Sequence, residues 1–263
     1  MHVRVDSFHL VLMLFSSALL LFIVAPLLGL VLASSVDEIR GAALDNEVRE
    51  SIALTLGAAM IATLAGAIPA VPLAYLLARR QLPFSRGISA IVDLPIVIPH
   101  AAAGLALLTV LSGDAWIARM TEPFGIEFVS TALGIGVAMA FVSIPYLVHT
   151  AREGFAAVPE NLELAALNHG ASPARVFRTI SLPLASRSIL TGMVLMWARG
   201  MSEFGSILFI AYRPRVAPIL LWERFGSYGL AYARPVAILL ITIALVVFTA
   251  LRYLQGGSAG AQR

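Results

Sequence analysis

Six stretches of the chain, about 10–33, 51–78, 88–111, 131–150, 186–211 and 235–254, are apolar over roughly the 20 residues that a helix needs to cross a hydrocarbon layer. In that medium a backbone N–H or C=O finds no water, so each stretch must close its hydrogen bonds internally as a helix. The expected fold class is all-α: a polytopic membrane protein with six transmembrane helices in a single domain, 1–263, since no shift in composition divides it. Apolar residues make up 59% of the chain and charged residues 13%, against about 25% charged in an average soluble domain. The apolar core of the first stretch exceeds the roughly 7–15 residues of a secretory signal, so it reads as an uncleaved helix.

Residue types exclude several classes of chemistry. There is no Cys, hence no disulfide, thiolate metal site or cysteine nucleophile. There is no Lys either, and all 18 basic residues are Arg. A phosphate-binding loop that ends in Gly-Lys-Ser/Thr is therefore impossible, and so is a Schiff base. His2, His9, His100, His149 and His169 show no ligand spacing, so no metal site is expected. The net charge of +3 is a weak clue, because Arg at membrane edges more often serves topology than ligand binding; no nucleic-acid partner is expected.

Arginine placement orients the chain. With the N-terminus inside, the inner segments hold ten Arg: Arg4, Arg79, Arg80, Arg86, Arg152, Arg175, Arg178, Arg187, Arg252 and Arg263. The outer segments hold seven: Arg40, Arg49, Arg119, Arg213, Arg215, Arg224 and Arg234. This bias places both termini in the cytoplasm of a multi-pass protein of the cytoplasmic membrane. The loop 212–234 breaks the pattern, with four Arg against Glu223. The favoured reading is that a late loop tolerates charge; the alternative is a positive vestibule that attracts anions. The tail 256–263, rich in Gly and Ala, reads as a short disordered end. Pro26, Pro69, Pro72, Pro95, Pro99 and Pro145 fall inside the apolar stretches and free carbonyls that neighbouring helices or a water-lined cavity must satisfy.

The inner loop, about 151–185, is polar and carries helix punctuation. Pro159 and Glu160 open a first short helix. Leu162, Ala165, Ala166 and His169 share one of its faces, where small Ala side chains permit close approach to another surface. Gly170 suits the left-handed position that ends a helix. Ser172 and Pro173 are an N-cap and first-turn pair for a second helix, which Pro183 is expected to end.

The run Glu163-Leu164-Ala165-Ala166, then Gly170, then Ile180-Ser-Leu182-Pro183, resembles the signature loop of ABC-importer permeases. In that family the loop docks on a cytoplasmic ATPase. Leu164 stands where the family carries a Glu directly before the Ala pair, and Glu163 lies one residue earlier as its possible substitute. Two more segments narrow the branch: Asp93-Leu-Pro-Ile-Val-Ile-Pro-His100-Ala-Ala-Ala-Gly104 and Trp197-Ala-Arg-Gly-Met-Ser-Glu-Phe-Gly205 are similar to stretches of oxyanion permeases, above all molybdate/tungstate permeases of archaeal type, with sulfate permeases next. The resemblance implies the type I importer permease fold and a homodimer. It also implies an ATPase dimer carrying ATP and Mg, no cofactor on this chain itself, and a separate extracytoplasmic protein that delivers the oxyanion. The chain on its own is then not an enzyme.

Ionisable residues inside a membrane are functional candidates by default. Arg199 and Glu203 lie four apart on one helix face. At about 1.5 Å per residue, Arg199 and His100 would both reach about 18 Å into their helices. Asp93 would be shallower, and His149 would lie near the inner end of the fourth helix. Either Arg199 faces the pathway, or it forms an ion pair with Glu203, with Asp93 or His100 nearby, that locks helices together; the pair is the favoured reading. Ser202 and Ser206 are hydroxyl residues beside it. The rival functions are a sulfate permease of the same architecture, an ion-coupled secondary carrier, and an intramembrane hydrolase built on Asp93 or Glu203.

Overall fold

A computed structural model describes residues 7–256 apart from 81 and 114. Arg4, Arg263 and the tail expected at 256–263 lie outside the described residues, except Gly256, which is the last residue of α13. The chain opens with α1 (Ser7–Leu32), α2 (Val36–Leu44) and α3 (Asn46–Ala78), followed by the pair α4 (Ser85–Val97) and α5 (His100–Leu111). A short α6 (Trp116–Thr121) leads to α7 (Ala132–Ala156). Then come α8 (Glu160–Asn168), α9 (Pro173–Val176), a π-helical turn at Phe177–Ser181, α10 (Leu182–Met201), α11 (Gly205–Ile210), α12 (Ala217–Tyr228) and α13 (Leu230–Gly256). Among the described residues five helices are long and apolar enough to cross a membrane, and α4 with α5 makes a sixth if the bent pair is one span.

Local chemistry starts these helices. Ser35 and Glu38 form a reciprocal capping box at α2. The Asp45 carboxylate accepts from Glu47 N at the head of α3, and Thr131 Oγ1 accepts from Gly134 N at the head of α7. Hydroxyls within the spans bond back to carbonyls of the preceding turn, as with Thr63 Oγ1 to Ala59 O and Ser143 Oγ to Met139 O. α7 packs against both α3 and α10 and is the centre of the bundle. At one end of this trio Ile135, Met139, Trp197 and Ile207 make the core. At the other, Leu147, Phe155, Ile189 and Met196 do so with Ala70 and Ala74. No residue in the apolar window of α1 is buried.

Three expectations need correction. The third stretch, expected as one helix over 88–111, is two helices that meet at 111°. Pro99 supplies no N–H, and the residue before a proline is pushed out of the helical region; Ile98 accordingly has ψ 144°. The fifth stretch, expected over 186–211, stops at Met201 and resumes at Gly205. Pro183 does not end the second loop helix but lies in the first turn of α10. The π-helical turn before it carries the helical run on from Pro173 to Met201.

Candidate functional site

Two constellations gather the residues singled out by the sequence: the loop helix α8 with its supports, and a charged cluster where the two helix breaks meet.

With nine residues, α8 is shorter than the roughly 12–15 a helix needs to persist alone in water. Glu163 is its only buried residue and ties it to the bundle. Glu163 Oε1 accepts from Arg79 Nη2 and from Ser181 Oγ, each at 2.6 Å, and Oε2 accepts from Arg79 Nε at 2.9 Å. The Tyr75 hydroxyl lies 3.5 Å away. Arg79 Nη2 also donates to Val158 O at 3.1 Å. The Arg79 and Glu163 side chains are 5% and 10% exposed. Burial pushes the Glu163 carboxyl up, but the hydrogen bonds from Arg79 and Ser181 outweigh it and hold the group below the usual carboxylate range. The same hydrogen bond raises Arg79 against the effect of its own burial. Tyr75, Phe155 and Phe177 pack around this pair, with Tyr75 edge-on to both Phe rings at 5.3 and 5.0 Å. One carboxylate thus joins α8 to the end of α3 and to the π-helical turn that feeds α10.

The rest of the loop motif follows from this anchor. Leu162, Leu164 and Leu167 are exposed, as is Ala165, while Ala166 is half-buried. The exposed side of α8 therefore mixes these leucines and alanine with the polar Glu160, Asn161 and Asn168. His169 is exposed and its Nδ1 lies 2.7 Å from Ala165 O. Gly170 has φ +84°; its N–H donates to Leu167 O, and Ala171 N donates to Ala166 O, the paired bonds of a Schellman ending. Ser172 Oγ accepts from Arg175 N and Pro173 follows in the first turn of α9. Ile180 and Leu182 are half-buried and Pro183 is exposed. Glu163, considered as a substitute for the family's Glu at the position of Leu164, is committed inside its own chain.

The second constellation is at the breaks. Glu203 Oε1 accepts from Ser206 N at 2.8 Å and Ser206 Oγ at 2.9 Å, which caps the start of α11. Its Oε2 accepts from Arg199 Nη2 and faces His100 Nδ1, each at 3.0 Å. Arg199 Nη2 lies 2.9 Å from His100 Nε2. Nη2 also lies 3.1 Å from His100 Nδ1, so the guanidinium sits against both ring nitrogens. Arg199 Nη1 reaches Ser202 Oγ at 3.4 Å. α5 and α11 approach so closely that a Cβ on Gly205 would stand 2.7 Å from His100 Cβ, and one on Gly104 2.7 Å from Ser206 O. His100 does meet Arg199, but not by the arithmetic of a straight helix, because α4 and α5 do not share an axis.

Asp93 belongs elsewhere: it pairs with His149 of α7, and Arg152 Nη1 donates to Ser89 Oγ nearby. In the loop 212–234, Arg215 pairs with Glu47 and Glu223, and Arg224 with Asp45 at 2.6 Å. Two of the four Arg there are thus neutralised by acids, which weighs against a positive vestibule. Sequence reasoning missed Arg79, Ser181 and Tyr75 as partners of Glu163. The one available signal was an Arg at the tail of a long apolar stretch. Among the described residues no group of three or more His, Asp and Glu could hold a metal ion.

Residues 70–257 match the family described as binding-protein-dependent transport system inner membrane component. The molybdate/tungstate transport system permease protein WtpB of Pyrococcus furiosus is 40% identical over 90% of this chain and 91% of its own length. The protein of the same name from Methanocaldococcus jannaschii is 36% identical over 94% of this chain and 96% of its own. The sulfate transport system permease protein CysT of Synechocystis is 32% identical over 77% of this chain and 72% of its own. In fold, the chain is similar to a bacterial ABC transporter involved in the import of the acidic polysaccharide alginate, with a TM-score of 0.74 at 17% identity over 97% of this chain and 96% of that one.

Proposed function

Given that the chain belongs to the binding-protein-dependent transport system inner membrane components, as the permease subunit of an ABC importer, we propose that its cargo is a tetrahedral oxyanion, molybdate or tungstate. The observation that carries this reading is the 36–41% identity, over most of the chain, to permeases that bear that name. Identity to sulfate permeases is 31–34%, which puts sulfate second.

Two copies of the chain form the pathway about a two-fold axis. Both termini, α8 and the α9–α10 junction lie in the cytoplasm, in keeping with the arginine bias. An ATPase dimer that holds ATP and Mg docks on the exposed side of α8, as a short helix seats in a groove. Glu163 and Arg79 pass its displacement to α3 and, through Ser181, to α10. ATP binding closes the ATPase and turns the bundle outward. A loaded extracytoplasmic binding protein then releases its anion, and hydrolysis resets the state. This is coupling of distant sites through a bistable bundle.

The test is reconstitution of the chain with its ATPase and binding protein in liposomes, with ATP-dependent uptake of molybdate, tungstate and sulfate measured in competition. A double substitution, Ala166→Glu with Gly170→Glu, is the control. Uptake of molybdate or tungstate that requires ATP and is lost in the control is the expected result. Sulfate preference would change the cargo and keep the mechanism. Uptake by the lone chain without ATP would overturn the importer mechanism in favour of an ion-coupled carrier.

A further inference from the structure

The cluster at the two helix breaks is polarised. The Glu203 side chain is 2% exposed, that of Arg199 20% and that of His100 41%; Ser202 is exposed. The negative end of the ion pair is thus buried and its donor end is turned outward. Nη2 of Arg199 is committed to Glu203 and His100, and Nη1 reaches Ser202. The Nε–H and one Nη1 hydrogen have no acceptor among the described residues. A guanidinium, an imidazole and a hydroxyl presented together between apolar spans do not stand against hydrocarbon. Nor does the irregular backbone of two broken helices, which membranes tolerate only inside protein or beside water. The face that carries this cluster is therefore turned away from lipid, and with two copies forming the pathway it falls to the interior of that pair.

From this we propose that Arg199, through its Nε–H and remaining Nη1 hydrogen, forms a transient binding site for the oxyanion within the membrane, with His100 and Ser202, whose hydroxyl donates to Arg199 O at 2.9 Å, holding the guanidinium at its edge. Glu203 is the positioning residue that orients the guanidinium and moderates its charge. The proposal rests on the oxyanion reading above and adds the place where the cargo pauses. A bare guanidinium in a low-dielectric site would hold a divalent anion too firmly. One already shared with a buried carboxylate holds it weakly, as conduction requires of any intermediate site. The glycine at 205 keeps the imidazole in place, since a side chain there would displace the His100 backbone.

The test uses the complete transporter in liposomes. Phenylglyoxal modifies accessible guanidinium groups, and mass spectrometry reads each arginine separately. Millimolar tungstate is expected to slow modification of Arg199 at least tenfold and to leave the exposed Arg213 unaffected, with sodium chloride of equal ionic strength giving no protection. Absence of protection at Arg199 would overturn the site. Arg199→Gln alone strands Glu203, so the informative variant is Arg199→Gln with Glu203→Gln, which removes both charges. It is expected to co-purify with the ATPase while oxyanion uptake at saturating loaded binding protein falls at least tenfold. Uptake restored to the wild-type level in the double variant would make the pair a helix lock and sink the proposal. A wild-type complex that imports no oxyanion would defeat the cargo reading instead, and is recognised before any variant is made.

Discussion

Replacing Glu163 by Gln removes the charge that holds α8 to the bundle. The carboxylate receives three hydrogen bonds of 2.6–2.9 Å from Arg79 and Ser181, and both members of the ion pair are at least nine-tenths buried. Breaking a buried pair costs about 3–5 kcal/mol, because the remaining charge loses its partner. The lower end applies here: the amide oxygen of Gln still accepts, and Arg79 keeps the carbonyl of Val158 at 3.1 Å. About 3 kcal/mol is roughly a 100-fold change in an opening equilibrium. A helix of nine residues has little intrinsic stability to resist it. Hydrogen exchange of peptides spanning 160–170 should therefore accelerate on the order of 100-fold in Glu163→Gln, while α7 is unchanged. Oxyanion uptake per ATP hydrolysed should fall with it. The double variant Arg79→Met with Glu163→Leu replaces the pair by apolar groups of similar bulk, which is often neutral, so protection should return to within about a factor of ten of wild type. Wild-type exchange in Glu163→Gln, or a double variant as labile as the single, would refute the anchor.

The same pair predicts a pH dependence. The folded Glu163 carboxyl lies below its ordinary value, so its contribution is fully present above the unfolded pKa of about 4.3 and is lost as pH falls through the depressed folded value. Proteolysis of the loop should be flat from neutral pH to about 5 and rise below 4, a rise absent from the apolar double variant. Gly205→Ala places a Cβ 2.7 Å from His100 Cβ and 3.3 Å from Ala101 N; such overpacking should cost about 1–3 kcal/mol, seen as a lowered Tm in detergent. Thr55→Val strands the buried N–H of Ala217, which donates to Thr55 Oγ1 at 2.8 Å; a loss of about 1–3 kcal/mol is expected by the same assay.

Much of this architecture was legible in the chain because apolar length and end signals are local. The apolar stretches, the Schellman glycine at 170 and the Ser172-Pro173 start could all be read from neighbours within a turn. The breaks could not. Pro26, Pro69, Pro72, Pro95 and Pro145 all lie within helices, and only at Pro99 does one end. Just after Pro99, α5 closes on Gly205 of α11, a contact about a hundred residues distant that no local signal announces. The break at 202–204 contains neither Pro nor Gly; there the Glu203 side chain captures the N–H of Ser206. Glu203 was visible as a partner for Arg199 at helical spacing, but not as a cap. Arg79 and Glu163 are 84 residues apart, and nothing in either neighbourhood announces the other. Asp93 and His149 stood out as ionisable residues in apolar stretches, yet their pairing needs α4 laid on α7.

On the proposal that α8 docks the ATPase, the helix separates that contact from its attachment to the bundle. Its inner side is one glutamate locked to the bundle, while its exposed side carries leucine and alanine among asparagines. Substitutions on the outer side can drift, or be exchanged between relatives, without disturbing how the membrane helices fold. Substitutions at Glu163, Arg79 or Ser181 cannot. On that proposal, a chimaera made by grafting the exposed residues 161, 162, 164, 165 and 168 from another permease should change which ATPase the permease accepts and leave its cargo as it was.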